Sequence, residues 1–225
     1  MKKKPSLTAT CCRYFFAKKI FLLTILWLVG SVAQAQILAW QFALPEPTKG
    51  VEPSINSTTT HEFLETSLLT RGRGVVPKQG NSRGFSGNFG VDENFEEAQK
   101  SESYFQFEVK PKKGYQVSLS SLKAILRRQE QSAHIYQWTY SLDGKSFIKI
   151  GESVDVTSSN NNGVAQTPID FSKIRELQNV NKTITLRIYA WGGLTNQGKA
   201  IAFGFGKSDA KGNNAIVLDG TVNKK

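Results

Sequence analysis

The chain has 225 residues and a formal net charge of +11. Six of its 29 lysines and arginines lie in the first 19 residues, which contain no acidic residue, so the remainder has 23 basic against 18 acidic side chains, or +5. A modest positive balance without a concentrated basic patch excludes nucleic acid as the expected partner. Both cysteines, Cys11 and Cys12, lie in the same leader, so disulfides and thiolate chemistry are excluded downstream of it.

An apolar run follows the basic leader. Residues 20–29 are almost all apolar, and residues 31–35 are mostly small and end in Ala-Gln-Ala. This order is typical of a Sec-type signal peptide. Its apolar core of about 13 residues is shorter than the roughly 20 that cross a bilayer as a helix. We therefore expect residues 1–35 to be a signal peptide cleaved after Ala35. Residues 36–225 are then one secreted, periplasmic or cell-surface domain with no membrane span.

Short alternating runs of apolar and polar residues between turn-forming clusters predict β-strands. The predicted strands cover residues 37–42, 64–70, 104–110, 115–128, 134–141, 147–150, 167–171, 183–191, 200–206 and 215–222. Short helical turns are predicted at 94–101 and 173–177, and the apolar pattern of 115–128 predicts a bulge. About ten strands predict an all-β fold, a two-sheet antiparallel β-sandwich of jelly-roll type.

Two stretches, residues 71–103 and 152–166, lack a strand pattern and are rich in glycine or asparagine. Their length is typical of functional or mobile loops. Oxygen ligands for structural calcium are present, although none has the spacing of a dedicated calcium loop and Asx turns are the alternative. We expect no cofactor and leave structural calcium open. The candidate ligands are Asp92, Glu93, Asn94, Asp155, Asn160, Asn161, Asn162, Asp209 and Asp219.

Catalytic patterns are scarce after the leader. His61 and His134 are the two histidines, and Ser86 lies in GFSG, which does not match the G-x-S-x-G nucleophile motif. Carboxylates such as Glu96 and Asp155 fall in predicted loops, where a glycosidase pair remains possible by spacing alone. We therefore expect no enzymatic activity, with a hydrolase as the weakest alternative.

Strand alternation assigns side chains to faces. Tyr136, Trp138 and Tyr140 share one face of their strand, which we expect to be core. In residues 183–191 the even-numbered positions are apolar and are expected to point into the core. Arg187, Tyr189 and Trp191 alternate with them and therefore point outward. Exposed rings beside an arginine suit the apolar face of a sugar together with its hydroxyl or carboxylate groups.

A larger site follows if strand 115–128 forms a hairpin with 134–141 and shares a sheet with 183–191. One outer face then gathers polar and aromatic side chains for a ligand. The alternative is that residues 71–103 cover this face as a minor core. The predicted ligand-binding residues are Arg127, Gln137, Thr139, Arg187, Tyr189 and Trp191.

Several segments also carry a family resemblance. They include Trp40 and Phe42 as a W-x-F start, Y-S-L-D-G-x-x-F from Tyr140, and R-I-Y-x-W-G from Arg187. Over residues 37–222 the chain resembles a family of secreted bacterial β-sandwich modules without an assigned chemistry. It is more distantly similar to discoidin-like and carbohydrate-binding jelly rolls. The resemblance implies the fold and an extracellular binding role.

These observations predict a noncatalytic secreted or cell-surface binding module whose partner is a glycan or envelope polysaccharide. The alternative is a structural or adhesive sandwich that binds a surface protein, for example by strand pairing at an exposed edge. A glycan-active hydrolase is the weaker alternative. Exposed aromatics with polar neighbours favour sugar, an unprotected edge favours protein, and clustered carboxylates with a raised pKa in a pocket favour catalysis.

Overall fold

A computed structural model describes residues 35–80, 82–156, 163–206 and 212–225 of the chain. The predicted signal peptide lies outside these residues except for Ala35, as do Cys11, Cys12, Asn160 to Asn162 and Asp209. The elements are β1 Ala35–Trp40, β2 Ile55–Asn56, β3 Thr59–Thr60, β4 Leu68–Arg71, β5 Val76–Pro77, β6 Phe85–Asn88, α1 Phe95–Lys100, β7 Tyr104–Val109, β8 Tyr115–Arg128, β9 Ile135–Ser141, β10 Ile148–Asp155, β11 Val164–Ala165, β12 Ile169–Asp170, a 3-10 helix Arg175–Leu177, β13 Ile184–Trp191, β14 Phe203–Phe205 and β15 Ile216–Lys224.

The strands form two sheets. The nine-stranded sheet has the order β3-β1-β15-β8-β14-β6-β5, and β11 and β12 also pair with β8. The six-stranded sheet has the order β10-β9-β13-β7-β4-β2. All of these pairings are antiparallel. This is the predicted all-β, two-sheet sandwich. Within the described residues, no helix is long and apolar enough to cross a membrane.

Alternating apolar residues from both sheets form the core. Tyr136, Trp138 and Tyr140 are buried, as predicted. The Trp138 ring contacts the Phe107 ring of the same sheet edge to face, with ring centroids 6.2 Å apart. It also contacts the Phe205 ring of the nine-stranded sheet, with ring centroids 6.5 Å apart. Aromatic contacts of this kind add to the free energy gained from burial.

The predicted bulge in β8 is also present. Asp219 of β15 pairs with Ser121, whereas the next residue, Gly220, pairs with Leu119. Ser120 is therefore the extra residue, which moves the buried side chains from odd to even positions along β8. This explains why Leu119 and Leu122 are both buried in one strand.

Each predicted strand overlaps an observed one, but the interpretation of residues 71–103 as a single long loop is wrong. The segment contains β5, β6 and α1. All four residues of β6 are buried although Phe-Ser-Gly-Asn has little strand propensity. β6 pairs closely with β14 because residue 204 of β14 is a glycine. A Cβ on Gly204 would lie 2.3 Å from the carbonyl oxygen of Phe85 in β6. Tertiary packing thus overrides the local sequence signal.

Arg71 joins the two sheets. Its side chain leaves β4 of the six-stranded sheet, and its Nε and Nη2 atoms donate to the carbonyl oxygen of Ser86 on β6 at 3.1 and 2.7 Å. Nη1 and Nη2 also donate to the carbonyl oxygens of Glu52 and Gly50 at 2.6 and 2.8 Å. The guanidinium lies 3.7 Å from the ring centroid of Phe85. Desolvation by burial lowers the pKa of Arg71 to about 10.

The glycines of the Arg-Gly-Arg-Gly segment have packing roles. A Cβ on Gly72 would lie 2.1 Å from the carbonyl oxygen of Glu102, and a Cβ on Gly74 would lie 2.2 Å from that of Ser101. Both positions therefore require glycine, because the backbone passes directly beneath the end of α1. These two glycines therefore have a structural role.

We expect Arg71→Met to lower the free energy of unfolding by about 3 kcal/mol, because it leaves three partly buried carbonyl groups without their donor. Urea denaturation of the purified domain measures this difference. Arg73→Met is the matched control two residues away, since the Arg73 side chain is largely exposed and pairs at the surface with Glu102. Equal midpoints for both variants would contradict the joining role of Arg71.

Candidate functional site

The outer face of the six-stranded sheet, which points away from the core, carries one continuous row of polar side chains. Strand register places Lys149 of β10 opposite Thr139 of β9, Thr139 opposite Arg187 of β13, Arg187 opposite Gln106 of β7, and Gln106 opposite Thr70 of β4. We call these five residues the cross-strand row. Because side chains directly opposite each other in a sheet are close neighbours, the row is a single surface feature.

The prediction that Arg127 belongs to this face is wrong. β8 lies in the nine-stranded sheet, where Arg127 pairs with Gly204. Its side chain is buried against Gly80, whose Cβ would lie 2.1 Å from Arg127 Nη2. Burial lowers the pKa of Arg127. The error came from assuming that consecutive strands β8 and β9 form a hairpin within one sheet, whereas the chain crosses between the sheets there.

Tyr189 and Trp191 do lie on the outer face, as alternation predicted, but they are covered. Their exposed fractions are 2% and 6%. They form a second, small core with Phe95 and Ala98 of α1, and the Phe95 ring contacts both of them edge to face. Of the two alternatives, the structure shows the one in which residues 71–103 cover part of the face. Neither ring is an accessible platform for a sugar.

Gln137 and Thr139 are also on this face and buried. Nε2 of Gln137 donates to the carbonyl oxygens of Ile150 and Gly151, at 2.9 and 3.2 Å. Pairing of β10 with β9 is interrupted between Ile150 and Val154, so Gln137 satisfies carbonyl groups that the strand ladder leaves open. Gln137 therefore supports the β10 bulge. The hydroxyl of Thr139 is fully buried and has no hydrogen-bond partner in the structure.

Arg187 is the predicted residue that the structure leaves partly open. Its Cζ lies 3.9 Å from the ring centroid of Tyr104 and 3.8 Å from that of Phe147, so its guanidinium contacts two aromatic rings. Nε donates to Oε1 of Gln106 at 2.7 Å, and Nη1 donates to the Tyr189 hydroxyl at 3.1 Å. A guanidinium has five N–H groups. Within the described residues, the other three have no hydrogen-bond partner.

Phe147 reaches Arg187 because the β9–β10 hairpin turns tightly at Asp143. One carboxylate oxygen of Asp143 accepts from the backbone N–H groups of Lys145 and Ser146, each at 2.8 Å, and from the Ser141 hydroxyl. These hydrogen bonds, the one from Lys145 first, hold the pKa of the Asp143 carboxyl well below its usual range. The turn at Asp143 thus places Phe147 against Arg187 at the outer face.

Beside the cross-strand row lies a polar groove of about 380 Å³. Gln106 belongs to both features, because its Oε1 accepts from Arg187 while its side chain lines the groove. The apolar side chain of Leu68 also lines the groove and is half exposed. The polar lining residues are Glu65, Thr66, Ser67, Thr70, Gln106, Glu108 and Lys110.

A second concavity, the interlayer cleft, opens between the sheets beside β10 and has a volume of about 470 Å³. It is lined mainly by apolar groups, including Trp138. The Tyr136 hydroxyl donates to Oε1 of Gln166, whose Nε2 donates to the carbonyl oxygen of Val164. Burial raises the pKa of Tyr136 to about 12. These polar groups hydrogen-bond within the fold, so the outer face is better equipped for a hydroxyl-rich ligand.

Three of the candidate calcium ligands within the described residues have other contacts. Asp92 accepts from the hydroxyls of Ser101 and Ser103, Asn94 caps α1 by accepting from the N–H of Glu97, and Asp219 pairs with Lys123 at 2.8 Å. Among the residues that the structure describes, no group of three or more His, Cys, Asp or Glu is arranged to hold a metal ion.

Sequence reasoning missed Tyr104, Gln106 and Phe147 as parts of the site. The signal for the first two was present, since Tyr104, Gln106 and Glu108 alternate with Phe105, Phe107 and Val109 along β7. The position of Phe147 over Arg187 depends on the hairpin and on sheet order, which the sequence alone does not reveal.

No protein-family model matches the chain, and no curated protein matches it. A solved C-terminal domain of a chitobiase from Bacteroides fragilis is 17% identical with a TM-score of 0.28, covering 54% of this chain and 66% of that domain. TmCBM61 in complex with β-1,4-galactotriose is 11% identical with a TM-score of 0.28, covering 79% and 92%. Neither similarity identifies a ligand for this chain. The resemblance to a family of secreted modules stays a prediction.

We expect Trp191→Ala to destabilise the domain by about 3–4 kcal/mol, because it opens a cavity beneath α1. Thermal or urea unfolding measures the loss. The control is Leu194→Ala, three residues later, since Leu194 is 75% exposed. A Trp191→Ala protein with unchanged stability would contradict the covered state of this ring.

We expect Asp143→Ala to lower the urea midpoint at neutral pH. The folded-state pKa of Asp143 lies below its unfolded value, so its stabilisation is fully present above about pH 4 and is lost as the pH falls through the folded-state pKa. The difference between wild type and variant should therefore narrow in acid. Asp143→Asn keeps an acceptor oxygen without the charge, and its difference from Asp143→Ala should not vary with pH.

Proposed function

We propose that residues 36–225 form a noncatalytic, secreted or cell-surface binding module for glycan and that the cross-strand row and polar groove are its binding site. The observation that carries the proposal is the pair Arg187 and Gln106. Their hydrogen bond fixes both side chains, and three N–H groups of Arg187 remain without a partner in the described part of the chain. Planar, fixed donors of this kind suit adjacent oxygen atoms of a sugar.

The groove supplies the complementary acceptors. Carboxylates of Glu65 and Glu108 can accept from sugar hydroxyls, and the hydroxyls of Thr66 and Thr70 can donate or accept. A hydroxyl-rich ligand loses water on binding and therefore needs such partners at short spacing. The half-exposed Leu68 adds an apolar surface for the C–H groups of a sugar ring.

An aromatic ring stands at the other end of the site. Phe147 is partly exposed, and one of its faces is held against Arg187. Rings held in this way offer their remaining surface at low cost in side-chain entropy. In this proposal Phe147, rather than Tyr189 or Trp191, supplies the exposed aromatic surface for the sugar.

Protein binding through an edge strand is the second candidate. β10 is the edge of the six-stranded sheet, has eight residues and exposes Ile148 and Val154. Such an edge can pair with a strand of another protein. The bulge between Ile150 and Val154 interrupts the row of backbone groups that pairing needs, which favours the glycan proposal.

We expect Gln106→Ala to weaken glycan binding about tenfold, because it removes a groove side chain and releases Arg187. Glycan-array binding followed by titration calorimetry measures this. The matched control is Gln116→Ala, in which the lost glutamine lies on the nine-stranded sheet and contacts Asn179. Equal affinity of the two variants for the ligand would place the site elsewhere.

A further inference from the structure

We infer that the glycan bound by the outer face is acidic and that Arg187 and Lys149 bind its carboxylate group, an inference that rests on the proposed function. Lys149 and Arg187 stand in the same cross-strand row and are separated by Thr139. Two like charges on one row repel each other, and an anion beside them relieves this repulsion. The question is which anion fulfils this role.

The protein itself supplies little compensation. Glu102 interacts electrostatically with Arg187, but both of its oxygens accept from Arg73, at 2.8 and 2.7 Å. Glu96 lies 3.9 Å from Lys149 Nζ, beyond hydrogen-bond distance, and both of these side chains are largely exposed. In the described part of the chain no carboxylate hydrogen-bonds to Arg187.

The aromatic contacts also restrict how a ligand reaches Arg187. Cζ of Arg187 lies over the rings of both Tyr104 and Phe147, so these rings restrict the directions from which a ligand reaches the guanidinium. The free N–H groups of the guanidinium lie in one plane. A carboxylate accepts such donors in pairs with good geometry, and this charge-assisted pairing is stronger than a hydrogen bond to a neutral hydroxyl.

Thr139 is a further observation on the same row. Its hydroxyl is fully buried between the strands of Lys149 and Arg187 and lacks a hydrogen-bond partner. Unpaired buried hydroxyls are uncommon in folded proteins. A polar group that the fold leaves unsatisfied beneath two cations is consistent with a site completed by an anion.

The groove end of the site has the opposite character. Glu65 and Glu108 lie there with Lys110, so a carboxylate is disfavoured and hydroxyl groups are favoured. The site therefore has a cationic end for the acid group and an acceptor-rich end for the rest of the sugar. Uronic acids combine both kinds of group, which makes a uronate-containing polysaccharide the ligand class.

The test compares each polymer with its own neutral form. Polygalacturonate, polyglucuronate and alginate are titrated into the purified domain before and after methyl esterification, which removes the charge and keeps the sugar. Dextran and dextran sulfate form a separate pair that reports unspecific attraction to negative charge. The variants are Arg187→Gln and Lys149→Gln, with Arg175→Gln and Lys173→Gln as exposed controls in and beside the 3-10 helix. Urea midpoints verify that each variant is folded.

We expect at least one free acid to bind about tenfold or more tightly than its ester. Arg187→Gln should reduce this preference to about one, because it weakens binding of the acid more than binding of the ester, and Lys149→Gln should weaken acid binding severalfold. The exposed controls should match wild type. Lys149→Gln keeps the test decisive if Arg187→Gln unfolds, because Lys149 is on the surface.

Other results overturn the inference in distinguishable ways. Equal affinity for acid and ester contradicts the acidic ligand and leaves the proposed glycan binding intact. Binding to dextran sulfate with a preference that survives Arg187→Gln and Lys149→Gln shows general charge attraction and contradicts the assigned site. Binding of neither form of any polymer contradicts the proposed function as well.

Discussion

One partly buried guanidinium joins the two sheets, and the outer face of the six-stranded sheet depends on it. Arg71 crosses from β4 to carbonyl groups of β6 and of the loop before β2. Burial of a cation costs free energy, which four hydrogen bonds and the face of Phe85 offset. Since β4 is held at a fixed position, β7 beside it and β13 on the far side of β7 present Gln106 and Arg187 in constant register.

Side chains on the outer face of β13 lie in two different environments. At its end, Tyr189 and Trp191 are covered by α1 and form a small second core. Two residues before Tyr189, Arg187 reaches the edge of that cover and contacts the hairpin through Phe147. The covered rings fix the arginine from one side and the hairpin fixes it from the other. A position that would be flexible on an open sheet is therefore well defined, which reduces the entropy lost when a ligand binds.

Local patterns predicted much of this arrangement. Alternation assigned Arg187, Tyr189 and Trp191 to one face, and the short helical turn predicted at residues 94–101 overlaps α1. Sheet order was beyond prediction, because the β8–β9 connection can stay in one sheet or cross to the other, and Arg127 was misplaced for that reason. β6 was missed because its fit depends on Gly204, which lies far away in sequence.

The connection between the sheets also determines how the domain responds to acid. Carboxylate pairs that hold protein layers together are neutralised when the pH falls, whereas the acceptors of Arg71 are carbonyl groups, which do not titrate. The pKa of Arg71, about 10, keeps its charge at every lower pH. A fall in pH therefore weakens surface turns such as that at Asp143 before it weakens the hydrogen bonds of Arg71 that join the sheets. A domain built in this way keeps its two layers joined in acidified surroundings.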